Sequence, residues 1–341
     1  MHSSCHRTIG ITMGCPVGIG PEIILKYLAD PASCSGSHSL VIGIPQVLEA
    51  SARHLGLDVE IIPWQPGQPW QKSGLHVCCP ESLTQQTWSD PIAWGRPDRL
   101  TGQAMAACIE YAVELIDAGV IDAMVTCPIT KSTLQQAGYD FPGHTEMLAH
   151  LCKADEYGMM MAGSTLRVTL VTIHERLASI PSLLSVQKIF SLIDLTGRSL
   201  VNDFGIQQPR IAVAGLNPHA GEDGLFGDEE TRLIAPAIVL AQQAGWQVTG
   251  PLPPDTVFNR AAAGGFDVVV CMYHDQGLIP FKLLHFEDGV NVTIGLPIVR
   301  TSVDHGTAYD IAGQGIASPS SLKSAYEMAL SMVENRNSDE G

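Results

Sequence analysis

Three histidines stand at comparable places in this chain. His174 ends the run Val168-Thr169-Leu170-Val171-Thr172-Ile173. His219 follows Ile211-Ala212-Val213-Ala214-Gly215-Leu216 after an Asn-Pro step, and His274 ends Val268-Val269-Val270-Cys271-Met272-Tyr273. Each run reads as a strand, and ligands of open α/β sheets bind beyond the carboxyl ends of strands. Imidazoles gathered there would hold one divalent metal and leave coordination positions for a substrate. Asp223 and Asp275 are near enough in sequence to orient them. A histidine at a strand end can equally serve only to satisfy a loop, and both readings stand on the residues alone.

Other residues point to anions. The chain has only 19 Lys and Arg, yet Lys282 and Arg300 flank the apolar strand that contains Asn291. Such cations suit a phosphate or carboxylate ligand, as well as plain surface pairing. Gly143-His144-Thr145-Glu146 precedes a helical run. Thr145 can cap that helix, and amides exposed there can receive an anion; a purely structural cap accounts for the same residues. The stretch from Gly14 to Glu22 (GCPVGIGPE) joins a strand to a helix but is not a dinucleotide fingerprint, because Ile23 falls where the third glycine would be. The segment from His305 to Gly315 (HGTAYDIAGQG) is rich in small residues, so its backbone can approach a flat ligand closely. Cys108, Cys127 and Cys271 sit in apolar runs and read as core.

These residues need a scaffold of alternating elements. Strands are expected at 8–13, 39–44, 58–63, 122–128, 166–174, 210–216, 247–251, 267–273 and 290–294. Helices are expected at 21–28, 46–55, 101–118, 131–137, 145–152, 185–202, 228–243 and 321–334. Pro63, Pro66, Gly67 and Pro69, with Trp64 and Trp70, mark a loop. The alternation implies an α/β fold with a largely parallel sheet.

Composition narrows the function classes. Asp and Glu number 35, giving a formal charge of −16, so no basic excess exists to bind a nucleic-acid backbone. Apolar residues make up 45% and charged ones 16%, which is the balance of a core-forming chain. The length suits two domains. No apolar run is long enough to span a membrane, and residues 1–12 lack the apolar core of a signal peptide. Nine cysteines, with no C-x-x-C pair, do not form a disulfide framework. A cytoplasmic enzyme is the class expected.

The motifs together resemble the 4-hydroxythreonine-4-phosphate dehydrogenase family, including its relatives acting on 4-phospho-D-threonate or 4-phospho-D-erythronate. The blocks that carry the resemblance are residues 14–22, 126–131 (TCPITK), 143–146 (GHTE), 215–222 (GLNPHAGE), 273–277 (YHDQG), 289–297 (GVNVTIGLP) and 300–315 (RTSVDHGTAYDIAGQG). They span nearly the whole chain in order. One departure is Cys15, where the family carries an acidic residue after Gly14.

The resemblance implies a two-domain fold like isocitrate and isopropylmalate dehydrogenases, with mainly parallel sheets and the active-site cleft between domains. Residues 1–130 plus 300–341 would form the first, cofactor-side domain, and 131–299 the second, on the metal and dimer side. It implies one divalent metal on His174, His219 and His274, drawn from both subunits of a homodimer. Zinc comes first, with magnesium or cobalt as alternatives. It implies substrate contacts at His144, Thr145, Lys282, Asn291 and Arg300, catalytic roles for Lys282 and Asp255, and NAD or NADP against His305, Gly306, Asp310, Ala312 and Gly313. The activity implied is oxidation and decarboxylation of 4-phosphohydroxy-L-threonine to 3-amino-2-oxopropyl phosphate, in pyridoxal phosphate biosynthesis. The alternatives are the same chemistry on 4-phospho-D-threonate or 4-phospho-D-erythronate, giving dihydroxyacetone phosphate, and a phosphate-binding protein without catalysis. No nucleic acid or membrane partner is expected.

Overall fold

The computed structural model describes residues 6–30, 33, 36–71 and 73–338. The first five residues of the leader stretch considered above, Cys5 among them, lie outside the described residues, as does Cys34. The chain divides into two compact units, Met1–Ala154 with Leu296–Val333, and Asp155–Gly295 with Glu334–Gly341.

The first unit runs β1 (Arg7–Thr12), α1 (Gly20–Leu28), β2 (Ser37–Ile42), α2 (Pro45–Leu55), β3 (Ile61–Pro63), β4 (Leu75–Cys78), α3 (Glu81–Thr84), α4 (Arg99–Asp117), β5 (Ala123–Thr126), α5 (Lys131–Gln136) and α6 (His144–Leu151). The second runs β6 (Gly158–Ala162), β7 (Arg167–Leu170), α7 (Ile180–Leu183), α8 (Val186–Asn202), β8 (Arg210–Ala214), α9 (Ala235–Gln243), β9 (Gln247–Leu252), α10 (Val257–Ala262), β10 (Val268–Cys271), α11 (His274–Leu284) and β11 (Val290–Ile294). The chain then returns to the first unit with β12 (Val299–Val303) and enters α12 (Ser320–Ser338), whose residues up to Val333 belong there.

In the first unit the strand order is β3-β4-β2-β1-β5-β12, and every pair is parallel. The second unit has the order β11-β6-β7-β10-β8-β9. There β6 runs antiparallel to both neighbours, and the other pairs are parallel. Val268, Val269 and Val270 are wholly buried, as expected where helices cover both faces of a parallel strand. The apolar faces of β7, β8 and β10 meet Phe258 and Phe281 in the core of the second unit. The fold is thus α/β with mainly parallel strands.

Residues 131–154 differ from the sequence expectation, which put them in the second domain. They belong with the first unit because α5 packs on α4 and the Tyr139 hydroxyl donates to Glu110 Oε2 on α4 at 3.4 Å. Asp98 fixes the start of α4 through a reciprocal box, accepting from Thr101 N at 2.9 Å while its own amide donates to Thr101 Oγ1 at 2.8 Å. The tryptophan-rich loop after β3 does not turn back as a hairpin; it leads into β4, which pairs with β3 in parallel. Among the described residues no single helix is long and apolar enough to cross a membrane.

Candidate active site

The first unit holds a buried cation. Arg300, on β12, is only 2% exposed and is the largest fully buried side chain among the described residues. Register brings β12 beside β5, with Ser302 opposite Thr126. The guanidinium Nε and Nη2 both donate to Thr126 Oγ1, at 3.2 and 2.7 Å. Burial pushes this guanidinium down to about 9, against the opposing pull of Glu146. His144 opens α6. Burial, and secondarily the charge of Arg300, holds its imidazole well below the ordinary value, so it is neutral at pH 7. Its Nε2 is sealed from solvent and has no hydrogen-bond partner. A buried cation beside a buried, unsatisfied imidazole nitrogen is a site shaped for an anion with acceptor and donor oxygens. Thr145 follows His144 in the first turn of α6, at its positive end.

The same unit builds the small-residue loop. Glu22, on α1, is wholly buried and accepts from the amides of Gly315 and Ala317 at 3.3 and 2.8 Å. Lys26 bonds the same carboxylate at 2.9 Å and donates to the carbonyls of Gly315 and Ala317, both at 2.7 Å. One i,i+4 pair thus fastens both polar faces of the loop end. Changing Lys26→Met should destabilise the fold by about 3 kcal/mol, because a buried carboxylate loses its cation; urea unfolding measures it.

Further along the loop, Gly313 lies against the Trp94 ring, where a Cβ would come within 2.6 Å. Its carbonyl bonds His54 Nε2 at 2.7 Å, so this glycine serves internal packing. Ala312 is buried, Asp310 and Gly306 are exposed, and His305 is partly exposed. The loop from Gly14 packs against this one: Ile19 N donates to Thr307 O at 3.2 Å, and the Tyr309 hydroxyl donates to Cys15 Sγ at 3.3 Å. Burial raises the Cys15 thiol and pushes Tyr309 up to about 12. Cys15 is therefore a neutral thiol, and a tyrosine hydroxyl faces it. Glu22 and Tyr309 were not singled out from the sequence. Their place inside the two marked motifs was the only signal for them.

The second unit carries the histidines. β7, β10 and β8 are adjacent parallel strands, and His174, His274 and His219 follow their carboxyl ends. Two buried polar side chains lace these ends together. Thr172 Oγ1 donates to Met272 O at 2.7 Å, while Gln276 accepts from Met272 N at 2.7 Å and donates to Gly215 O at 2.6 Å. His174 and His274 stand side by side, ring centroids 5.6 Å apart, and line a cavity of 480 Å³ with Ile173, Tyr273 and Asp275. Asp275 Oδ1 bonds His274 Nδ1 at 2.7 Å, which leaves Nε2 for a ligand.

His219 does not join them: no group of three metal-ligating side chains forms among the described residues of one chain. His219 is exposed on a turn of its own, its ring 6.3 Å from that of Phe226. Asp223 sits exposed on the same turn. The donor set fits a zinc-like ion in kind, with three imidazoles on one edge of three consecutive strands, and two of them meet in space. Lys282 lies near the end of α11. Asn291, on β11, has its Oδ1 sealed from solvent without a partner. Asp255 is an exposed carboxylate just before α10.

Comparison with known proteins places these features in one family. Residues 35–329 match the family model described as pyridoxal phosphate biosynthetic protein PdxA. The 4-hydroxythreonine-4-phosphate dehydrogenase of Desulfosudis oleivorans is 55% identical, over 94% of this chain and 95% of that one. A relative from Oceanobacillus iheyensis, provisionally named a D-threonate 4-phosphate dehydrogenase, is 42% identical over 96% of this chain and 98% of its own. The crystal structure of 4-hydroxythreonine-4-phosphate dehydrogenase from Klebsiella pneumoniae superposes with a TM-score of 0.85 at 41% identity, covering 97% of this chain and 99% of that one. The chain belongs to the PdxA family of pyridoxal phosphate biosynthetic proteins, a family of oxidoreductases.

Proposed function

We propose that this protein oxidises and decarboxylates 4-phosphohydroxy-L-threonine with NAD or NADP, releasing 3-amino-2-oxopropyl phosphate for pyridoxal phosphate biosynthesis in the cytoplasm. The observation that carries the substrate class is the Arg300–His144 pair. A guanidinium 2% exposed beside an imidazole nitrogen without a partner has its desolvation offset when an anion arrives. Arg300 neutralises one anionic end of the substrate, and neutral His144 with Thr145 orients its oxygens. Lys282 and Asn291 are read as further substrate contacts. Lys282 and Asp255 handle the protons that the reaction moves.

His174, His219 and His274 would hold a divalent ion (zinc first, magnesium or cobalt otherwise), which would supply Lewis acidity toward the substrate hydroxyl and the charge left by decarboxylation, and a bound nicotinamide would supply the hydride acceptor. The backbone of 305–313 holds the adenine side of that nucleotide. A homodimer completes the histidine set. In support, α11 presents Ile279 and Leu283, with Phe286 just past its end, at 67, 84 and 78% exposure. Ile279 and Leu283, spaced i and i+4, share one face of the helix, and these exposed apolar side chains call for a covering surface.

A second substrate reading, 4-phospho-D-threonate, is supported by the name of the Oceanobacillus relative. The test is formation of reduced nicotinamide by the purified protein with NAD or NADP, a divalent metal and each phosphorylated acid in turn. Turnover of 4-phosphohydroxy-L-threonine well above the phosphothreonate is expected. The reverse order hands the assignment to the second reading, and no turnover with either removes both.

A further inference from the structure

The turn that carries His219 has an unusual backbone. His219, Ala220, Gly221, Glu222 and Asp223 have φ of 52, 55, 82, 43 and 55°, five successive residues in the left-handed region. Four of them carry a Cβ, which that region disfavours, so the surroundings must hold the turn.

Backbone bonds close the turn, from Ala220 N to Asn217 O at 3.1 Å and from Phe226 N to Gly221 O at 3.2 Å, and one buried side chain anchors the residues that lead into it. Glu230, in a π-helical turn before α9, is 4% exposed. No cation pairs with it among the described residues. Its Oε1 accepts from the amides of Leu216 and Asn217, at 2.8 and 2.7 Å. Its Oε2 accepts from Asn217 Nδ2 at 3.0 Å, an amide group that also donates to Glu229 Oε2 at 2.8 Å. The turn wraps closely around this carboxylate: a Cβ on Gly221 would come within 2.7 Å of Glu230 Oε2, and one on Gly215 within 2.8 Å of Ala220 Cα. The carboxylate therefore pins Leu216 and Asn217, which lead into the turn, and packs against Gly221 within it; none of its hydrogen bonds goes to the imidazole.

We propose that Glu230 is the positioning residue for His219, holding the left-handed turn in the one shape that presents this imidazole for metal ligation. The proposal rests on the reading of His219 as a ligand. Its test uses cobalt(II) alone as probe, titrated into the full-length wild type and into Glu230→Gln, Gly221→Ala, His219→Ala and His174→Ala proteins. The readouts are the visible d–d spectrum and the dissociation constant, with thermal melting as the measure of folding. Glu230→Gln keeps one acceptor but opposes an amide to Asn217 Nδ2. Gly221→Ala disturbs the turn by setting a Cβ against Glu230 Oε2 while the carboxylate group itself is retained.

Both should weaken cobalt binding roughly 10- to 100-fold, the range for residues that orient ligands, with altered spectra and a retained melting transition. Cobalt binding like wild type by both, with binding lost in His219→Ala, overturns the positioning role and leaves the ligand reading intact. Wild-type binding by His219→Ala and His174→Ala overturns the ligand reading itself. Loss of the melting transition in both turn variants also overturns the proposal, since Glu230 would then be a requirement of folding.

Discussion

Replacing Arg300 by methionine will raise the KM for the phosphorylated acid roughly 10- to 150-fold, the equivalent of the 1.5–3 kcal/mol that a hydrogen bond to a charged group contributes, while the KM for the nicotinamide nucleotide stays within about twofold. The same substitution should not lower the stability of the free protein. A guanidinium 2% exposed has been taken out of water, and methionine of similar length fills the space without that desolvation penalty.

The pH dependence separates the two effects. Burial sets the folded value near 9, below that of the unfolded chain. Between those two values the unfolded state binds more protons, so this residue's contribution to stability improves as pH rises through about 9 and is least favourable below it. The difference in melting temperature between wild type and Arg300→Met should therefore shrink as pH climbs above 9. An unchanged difference, with unchanged KM, would place the anion site elsewhere.

Mixing inactive variants should restore activity for one pair of histidines and not for another. His174 and His274 stand together within one chain, whereas His219 is held apart on its own turn. When His174→Ala and His219→Ala dimers exchange subunits, the heterodimer regains one intact site, composed of one chain's His174 and His274 and the other's His219. About a quarter of wild-type activity returns, given random exchange and independent sites. His174→Ala mixed with His274→Ala leaves both heterodimer sites short of a ligand, so activity stays at the level of the parents. Recovery from the second mixture, or none from the first despite verified exchange, would rule out this sharing.

The residues of the site were legible in the sequence to different depths. The histidines could be marked because each follows an apolar run, and the strand ends do fall there. Their adjacency could not be read. It depends on the order β7-β10-β8, which no local pattern carries. Arg300 was visible as a scarce cation, but its strand was not: with Arg300-Thr301-Ser302 at its centre, β12 looks polar, and its burial comes from pairing with β5. No helix was expected at α11, which contains Gly277 and Pro280, residues that disfavour a helix interior. Pro280 sits within the helix all the same, and Phe281 seals it into the core. Nor could Glu230 be found. In Asp228-Glu229-Glu230-Thr231-Arg232 it looks like part of a solvated acidic run, and only the fold shows that it points inward to backbone amides. The strand β6 (GMMMA) lacks the β-branched residues that mark its neighbours.

The return of β12 to the first unit also orders events during synthesis. Arg300 and its partner Thr126 lie 174 positions apart, and between them the ribosome must deliver the whole of 155–295. That stretch supplies all six strands of the second unit without interruption, so it can close its core as it emerges. The first unit, though made first, waits with the edge of β5 uncovered and without its buried guanidinium until β12 arrives. The ordinary N-to-C sequence of domain completion is thus inverted here. The edge of β5 stays available for wrong strand partners for as long as the second unit takes to be translated.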